Sequence, residues 1–117
     1  MKKRIKSFGY AGRGIWSTLR SEPNMKIHLG VAIIVICCGF SLSISVTEWM
    51  LCLLCFGLVL GSEMLNTAIE NVVDLVSPSQ NQLAGRAKDV AAGAVLICSI
   101  ISVIIGLLIF VPKVLIL

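Results

Sequence analysis

Charged residues are scarce in this chain of 117 residues: Asp, Glu, Lys and Arg make up 14 % of it, whereas hydrophobic residues make up 57 %. An average soluble domain carries about 25 % charged residues. A soluble domain as short as this one buries only part of its surface in a hydrophobic core. The composition therefore excludes an ordinary soluble domain. It predicts one domain whose apolar surface faces lipid.

The usual nucleotide-binding and zinc signatures are also missing. There is no GxxxxGK[ST] phosphate loop and no HRD or DFG kinase signature. Cys52 and Cys55 form a CxxC pair, but no second Cys or His pair accompanies it, and all five cysteines lie in apolar runs. Buried cysteine commonly packs as a small apolar residue, so packing is expected here rather than zinc or redox chemistry. No small-residue cleavage site follows the first apolar run, so no secretory signal is expected.

Periodicity and apolar runs predict an all-α membrane protein with no repeat and no linker that divides residues 1–117. Apolar side chains recur at spacings of three and four within residues 5–20, which predicts an amphipathic helix on the membrane surface. Pro23 breaks this helix, so residues 1–26 form a surface helix and a connection. The spanning helices are expected at residues 29–46, 49–76 and 83–111, with a polar connection at 47–49 and Pro112 closing the last helix.

The basic residues are concentrated on one side of the expected spans. The first 26 residues hold seven of the ten basic residues and the 77–90 loop holds two more, while the 47–48 turn holds none. The positive-inside rule then predicts that the N-terminus and the 77–90 loop lie in the cytoplasm of a bacterial inner membrane, with the C-terminus outside. Beside spanning segments a basic arm indicates an anionic lipid surface, so no nucleic-acid partner is expected.

Three acids and an amide form one stripe on the second expected span. Glu63, Asn66, Glu70 and Asp74 fall within an arc of about 80° when successive residues turn by about 100°. Carboxylates on one helix face repel one another in the low-dielectric interior of a membrane. Ionisable residues inside membranes therefore usually indicate a functional site. Glu63 is expected inside the cytoplasmic boundary, at the depth of a lipid alcohol, where a carboxylate can serve as general base.

Other polar side chains are expected at the same membrane level. They are Glu22, Asn24, Arg86, Lys88 and Asp89. Clustered carboxylates suit Mg²⁺, which typically uses one or two carboxylates together with substrate phosphates, and Lys88 and Arg86 suit phosphate oxygens. Arg86 and Glu22 are equally compatible with simple roles at helix ends. His28, just before the expected first span, could be catalytic, but it has no obvious partner.

At these residues the chain resembles the bacterial integral-membrane diacylglycerol kinase and undecaprenol kinase family. One matching block is Glu63-Met-Leu-Asn66-Thr-Ala-Ile-Glu70-Asn-Val-Val-Asp74, and a second is Ala84-Gly-Arg-Ala-Lys88-Asp89-Val-Ala-Ala-Gly93-Ala-Val. Gly9-Tyr10-Ala-Gly-Arg13-Gly14 and Glu22-x-Asn24 also match. The resemblance covers nearly the whole chain, and the two blocks together are highly specific.

The resemblance implies a homotrimer with active sites shared between subunits and with Mg-ATP as the phosphate donor to a lipid hydroxyl. Carried over by position, Glu63 resembles the general base, and Glu22 and Glu70 resemble the metal-binding carboxylates. The residues implied on the nucleotide side are Tyr10, Arg13, Asn66, Asp74, Lys88 and Asp89.

His28 bears on the choice of lipid. Asn24-Met-Lys-Ile-His28 resembles the undecaprenol kinase branch, because the diacylglycerol kinase branch tends to carry an acid where His28 stands. Undecaprenol is therefore the expected acceptor, and diacylglycerol is the alternative. Outside the kinases, a small proton-coupled exporter and a passive structural or pore-forming peptide remain open. An exporter would place its acid near the membrane midplane, whereas here the acids crowd the cytoplasmic edge.

Overall fold

The computed structural model describes all 117 residues, and the chain is entirely helical. The helices are α1 (Lys2–Ser21), α2 (Pro23–Ser41), α3 (Val46–Val76) and α4 (Gln82–Ile116). The last three are each long and apolar enough to cross a membrane, which confirms the predicted all-α class with three candidate spans. The 31 residues of α3 and the 35 of α4 exceed the roughly 20 residues that a span needs. Their polar ends can therefore extend beyond the hydrocarbon.

Most apolar side chains lie on the outside of the chain. Only 13 of 117 residues are buried, and large side chains such as Ile34, Leu58 and Leu108 face outward. Soluble monomers rarely expose contiguous apolar surface of this extent, so the exposed faces suit lipid or further copies of the chain. α3 is the central helix: it packs along α4 and α2, while α2 and α4 do not pack on each other.

A proline sets the corner between α1 and α2. Glu22 has extended backbone angles, φ −102° and ψ 113°, which a residue before proline favours. Pro23 then begins α2, where its missing N–H removes no helical hydrogen bond. α2 therefore starts six residues before the expected bound at residue 29, and His28 lies more than one turn inside it.

The connection between α2 and α3 also differs from the expected 47–49 segment. Ser43 adopts a positive φ of 52° and reverses the chain. Ser45 Oγ then accepts a hydrogen bond from the Glu48 N–H at 3.2 Å, and Glu48 Oε1 accepts one from the Ser45 N–H at 2.9 Å. This reciprocal capping box fixes the start of α3, so the turn lies at residues 42–45 and α2 ends at Ser41 rather than at residue 46.

α4 continues past Pro112 to Ile116, although the proline was expected to close it at residue 111. A proline inside a membrane helix removes one backbone hydrogen bond, and neighbouring groups can compensate for the loss. Here Lys113 Nζ lies 3.0 Å from Glu48 Oε1. The segment after the proline is therefore held against the first turn of α3.

An apolar cluster lies near this end of the bundle. Its buried members are Ile44, Cys52 and Ile109, and Trp49 packs against them. The Trp49 ring also lies 4.9 Å, centroid to centroid, from Phe40. All five cysteines are free, and Cys52 and its CxxC partner are buried, in line with the expected packing role.

Replacing Gly39 with alanine should destabilise the fold, because a Cβ added there would lie 2.6 Å from Trp49 Cη2. Overpacking of this kind costs about 1–3 kcal/mol, so thermal unfolding in detergent should begin at a lower temperature. Gly30→Ala in the same helix is the matched control, since nothing lies within 4 Å of its added Cβ, and it should be neutral or stabilising. Equal melting temperatures for Gly39→Ala and the parent protein would contradict the close approach of Trp49.

Candidate active site

The C-terminal half of α3 carries a polar face that runs from buried residues to exposed ones. Glu63 is 2 % exposed and Asn66 is 8 % exposed, Glu70 is half-buried, and the Asp74 side chain is 62 % exposed. Spacings of three and four place these side chains on one side of a helix. The continuous α3 therefore presents the four residues of the predicted stripe together.

His28 of α2 reaches the buried end of this face. Its Nε2 lies 3.6 Å from Glu63 Oε2, and the two side chains are 21 % and 3 % exposed. The early start of α2 at Pro23 makes this contact possible, because it brings His28 inside the helix that packs on α3. The sequence alone identifies no partner for His28, and the structure supplies one.

The middle of the face is held by hydrogen bonds within α3. Asn66 Nδ2 donates to Glu70 Oε1 at 3.1 Å, and the Thr67 hydroxyl donates to the Glu63 carbonyl at 3.1 Å. Asn66 Oδ1 is buried and has no hydrogen-bond partner. Buried polar atoms are normally paired because desolvation without a partner is costly, so this oxygen is an unused acceptor within the site.

The exposed end of the face joins α3 to α4. Lys88 Nζ lies 2.5 Å from Asp74 Oδ1, with both side chains partly exposed. Asn81 Oδ1 caps α4 by accepting two backbone N–H groups at 2.8 and 3.3 Å, which fixes the start of the helix that carries Lys88. The pair lines an open cleft of about 480 Å³ together with the 77–82 segment, and most of the lining residues are polar. An ammonium group therefore stands beside space for an anionic ligand.

The remaining predicted residues lie on α1, at its corner with α2, or on the surface of α4. Glu22 is half-buried at the corner. Tyr10 and Arg13 are exposed on α1, and the Arg13 guanidinium carbon lies 5.5 Å from the Tyr10 ring centroid, a cation–π distance. Asp89 is exposed, and no ion pair joins it or Arg13 to another side chain. Within one chain no hydrogen bond or ion pair joins these side chains to the α3 face.

No group of three or more His, Cys, Asp and Glu side chains converges on a metal site in a single chain. Glu70 accepts a hydrogen bond from Asn66 and pairs with no cation. Its carboxylate therefore keeps free acceptor positions for a hard cation.

An apolar groove of about 480 Å³ opens between α2 and α4, over α3. His28 is one of its few polar lining residues, and on α3 its lining runs from Cys52 to Val59. Glu63 follows Val59 by four residues, about one helical turn. The groove therefore leads along α3 towards the pair formed by His28 and Glu63.

A sequence model of the prokaryotic diacylglycerol kinase family matches residues 9–110. The chain is 50 % identical over 113 residues to an undecaprenol kinase of Bacillus subtilis, a match that covers 97 % of this chain and 92 % of that protein. It is 37 % identical over 103 residues to a diacylglycerol kinase of Escherichia coli, covering 86 % and 82 % of the two chains. A diacylglycerol kinase of Haemophilus influenzae is 32 % identical over 107 residues, 91 % of each chain.

Proposed function

The chain belongs to the prokaryotic diacylglycerol kinase family and is a lipid kinase, and we propose that it transfers the γ-phosphate of Mg-ATP to undecaprenol. The observation that carries the proposal is Glu63, a buried acid beside His28 and on the same face of α3 as Glu70. Family membership excludes the exporter and the passive membrane peptide, which the sequence pattern alone left open.

The proposed reaction needs a base at the acceptor hydroxyl. The hydroxyl oxygen forms a bond to the γ-phosphorus, the bond from that phosphorus to the β,γ-bridging oxygen breaks, and ADP leaves with this oxygen. The hydroxyl proton passes to the Glu63 carboxylate. Glu63 suits this role because no Lys or Arg pairs with it, so no fixed cation occupies the oxygens that accept the proton.

We assign Mg²⁺ to Glu22 and Glu70, and the donor chemistry of the chain fits this ion. Mg²⁺ typically takes one or two protein carboxylates and fills its other positions with phosphate oxygens and water, so the absence of a three-acid cluster within one chain is compatible with it. Glu70 has free acceptor positions, and the buried, unpaired Asn66 Oδ1 lies one turn away on the same face. When bound, Mg²⁺ supplies charge neutralisation at the transferring phosphate.

We place the nucleotide between α1 and the inner ends of α3 and α4. Lys88 beside its open cleft and Arg13 on α1 provide cationic donors for phosphate oxygens. Tyr10 provides an aromatic face close to Arg13. The remaining nucleotide contacts are assigned to Asn66, Asp74 and Asp89.

Two observations favour undecaprenol over diacylglycerol as the acceptor. The Bacillus subtilis relative at 50 % identity is an undecaprenol kinase, and the Asn24-Met-Lys-Ile-His28 segment resembles that branch of the family. The apolar groove between α2 and α4 offers a site for part of the acceptor's hydrocarbon chain. Its course along α3 would bring the alcohol end to Glu63.

We further propose a homotrimer in the bacterial inner membrane, with the N-terminus in the cytoplasm and the C-terminus outside. The wide exposed apolar faces of the spanning helices leave room for packing between copies. Sharing of sites would bring Tyr10, Arg13 and Asp89 of one copy towards the α3 face of another. The orientation follows from the basic α1 and the Lys and Arg near the start of α4.

The acceptor is tested by giving the purified protein γ-labelled ATP with undecaprenol and with diacylglycerol, at matched mole fractions in the same mixed micelles. We expect kcat/KM for undecaprenol to exceed that for diacylglycerol by about tenfold or more, which corresponds to roughly 1.4 kcal/mol of transition-state binding. Reactions without added acceptor give the background. A preference for diacylglycerol would overturn the assignment of the acceptor, and label in neither lipid would overturn the proposed function.

A further inference from the structure

The Glu63 carboxylate has a single side-chain neighbour able to fix its direction. The Thr67 hydroxyl is engaged by the Glu63 backbone carbonyl, and the Asn66 amide donates to Glu70. The remaining polar neighbour is His28, whose Nε2 lies 3.6 Å from Glu63 Oε2. A glutamate rotates about three side-chain bonds, and a polar contact at its carboxylate adds a preferred direction to the restriction that burial already imposes.

The separation is longer than the 2.7–3.2 Å or so of a good hydrogen bond. Contacts of catalytic groups are often long in the absence of substrate and shorten when the reacting complex forms. The His28 ring also lines the apolar groove proposed for the acceptor. Binding of the acceptor there can therefore bring Nε2 closer to the Glu63 carboxylate. One imidazole thus touches both the proposed base and the space proposed for the acceptor.

We propose that His28 is a positioning residue: its imidazole donates from Nε2 to Glu63 and turns the carboxylate towards the acceptor hydroxyl at the inner end of the groove. This inference rests on the proposed function, in which Glu63 is the base. His28 itself takes no proton from the lipid. The requirement is a hydrogen-bond donor at the place of Nε2, and the amide of a glutamine can supply one.

Kinetics of two substitutions test this role. His28→Ala should lower kcat by about tenfold or more, because a base that points in the wrong direction slows proton transfer from the acceptor. KM for ATP should stay unchanged. His28→Gln should stay within about threefold of the parent, because the donor is retained. Ile27→Ala, a neighbouring exposed position, is the matched control and should behave as the parent. Normal turnover in His28→Ala, or an equal loss in His28→Gln, would overturn the proposal.

A second measurement needs neither turnover nor a His28 variant. His28 is the only histidine in the chain, so ¹⁵N-histidine labelling in lipid nanodiscs gives the signals of one ring. Glu63→Gln should shift these signals, whereas Glu48→Gln, at the opposite end of α3, should leave them in place. An unshifted ring in Glu63→Gln would refute the contact even if the parent protein phosphorylates undecaprenol, which separates this inference from the proposed function.

Discussion

Glu63→Gln should abolish lipid phosphorylation while leaving the fold and ATP binding largely intact. The amide has nearly the same volume as the carboxylate, so the buried site on α3, where Glu63 is 2 % exposed, keeps its packing. Glutamine cannot accept the hydroxyl proton, and loss of a general base typically lowers the rate by about 10²–10⁴-fold. The expected result is a loss in kcat of this size with an unchanged affinity for nucleotide.

The matched control for this prediction is Glu48→Gln. Glu48 lies on the same helix, but it caps the start of α3 and pairs with Lys113, so its loss should affect stability more than turnover. Transfer of label from γ-labelled ATP to lipid measures kcat, and titration with a fluorescent nucleotide measures binding. Normal turnover in Glu63→Gln would remove Glu63 from the role of base.

Glu70→Ala should raise the Mg²⁺ concentration needed for half-maximal activity by about tenfold or more, the equivalent of roughly 1.4 kcal/mol in binding. The carboxylate is half-buried, accepts a hydrogen bond from an amide and forms no ion pair, so it keeps acceptor positions for a metal ion. Glu22→Ala should shift the metal requirement in the same direction.

The measurement for this second prediction is activity as a function of free Mg²⁺ at saturating ATP. Glu48→Ala serves as a control, because it removes one acid from α3 at the other end of the helix. Activity of Glu70→Ala should recover in part at high Mg²⁺, because the phosphate ligands of the ion remain. An unchanged metal titration would argue against Glu70 as a ligand.

The sequence predicted the polar face of α3 well because that face depends on local geometry. Once α3 is a continuous helix, the spacing of Glu63, Asn66, Glu70 and Asp74 places them on one side whatever surrounds the helix. The prediction that Lys88 lies at the membrane level of the α3 acids needed only the short connection between α3 and α4. The structure forms that pair with Asp74.

The sequence predicted less well where one residue decides a boundary. The sequence predicts a break at Pro23, but Pro23 also begins α2 at a position that proline favours. A helix that starts at Pro23 includes His28 and brings it near Glu63. The Ser45-x-x-Glu48 pattern of a capping box was present and would have located the turn before α3. α4 continues past Pro112, where Lys113 pairs with Glu48 of α3, a contact between residues distant in sequence that no local pattern reveals.

The arrangement of Tyr10, Arg13 and Asp89 relative to the α3 face lies beyond local patterns as well. In one chain they remain exposed, and the proposed trimer is what would complete the site. Contacts between copies depend on the shape of whole helix faces rather than on residue spacing along one helix.

The central claim is that Mg-ATP binds on the α3 face that holds Glu63, and the single histidine allows a direct test. His28 lies 3.6 Å from Glu63, and Glu70 is seven residues further along α3, about 10 Å. With Mn²⁺ in place of Mg²⁺ and a non-hydrolysable ATP analogue, the nearby paramagnetic ion should strongly broaden the ¹⁵N-histidine ring signals. The same analogue with Mg²⁺ should leave them sharp. Sharp His28 signals while the Mn²⁺–nucleotide complex is bound would contradict the account.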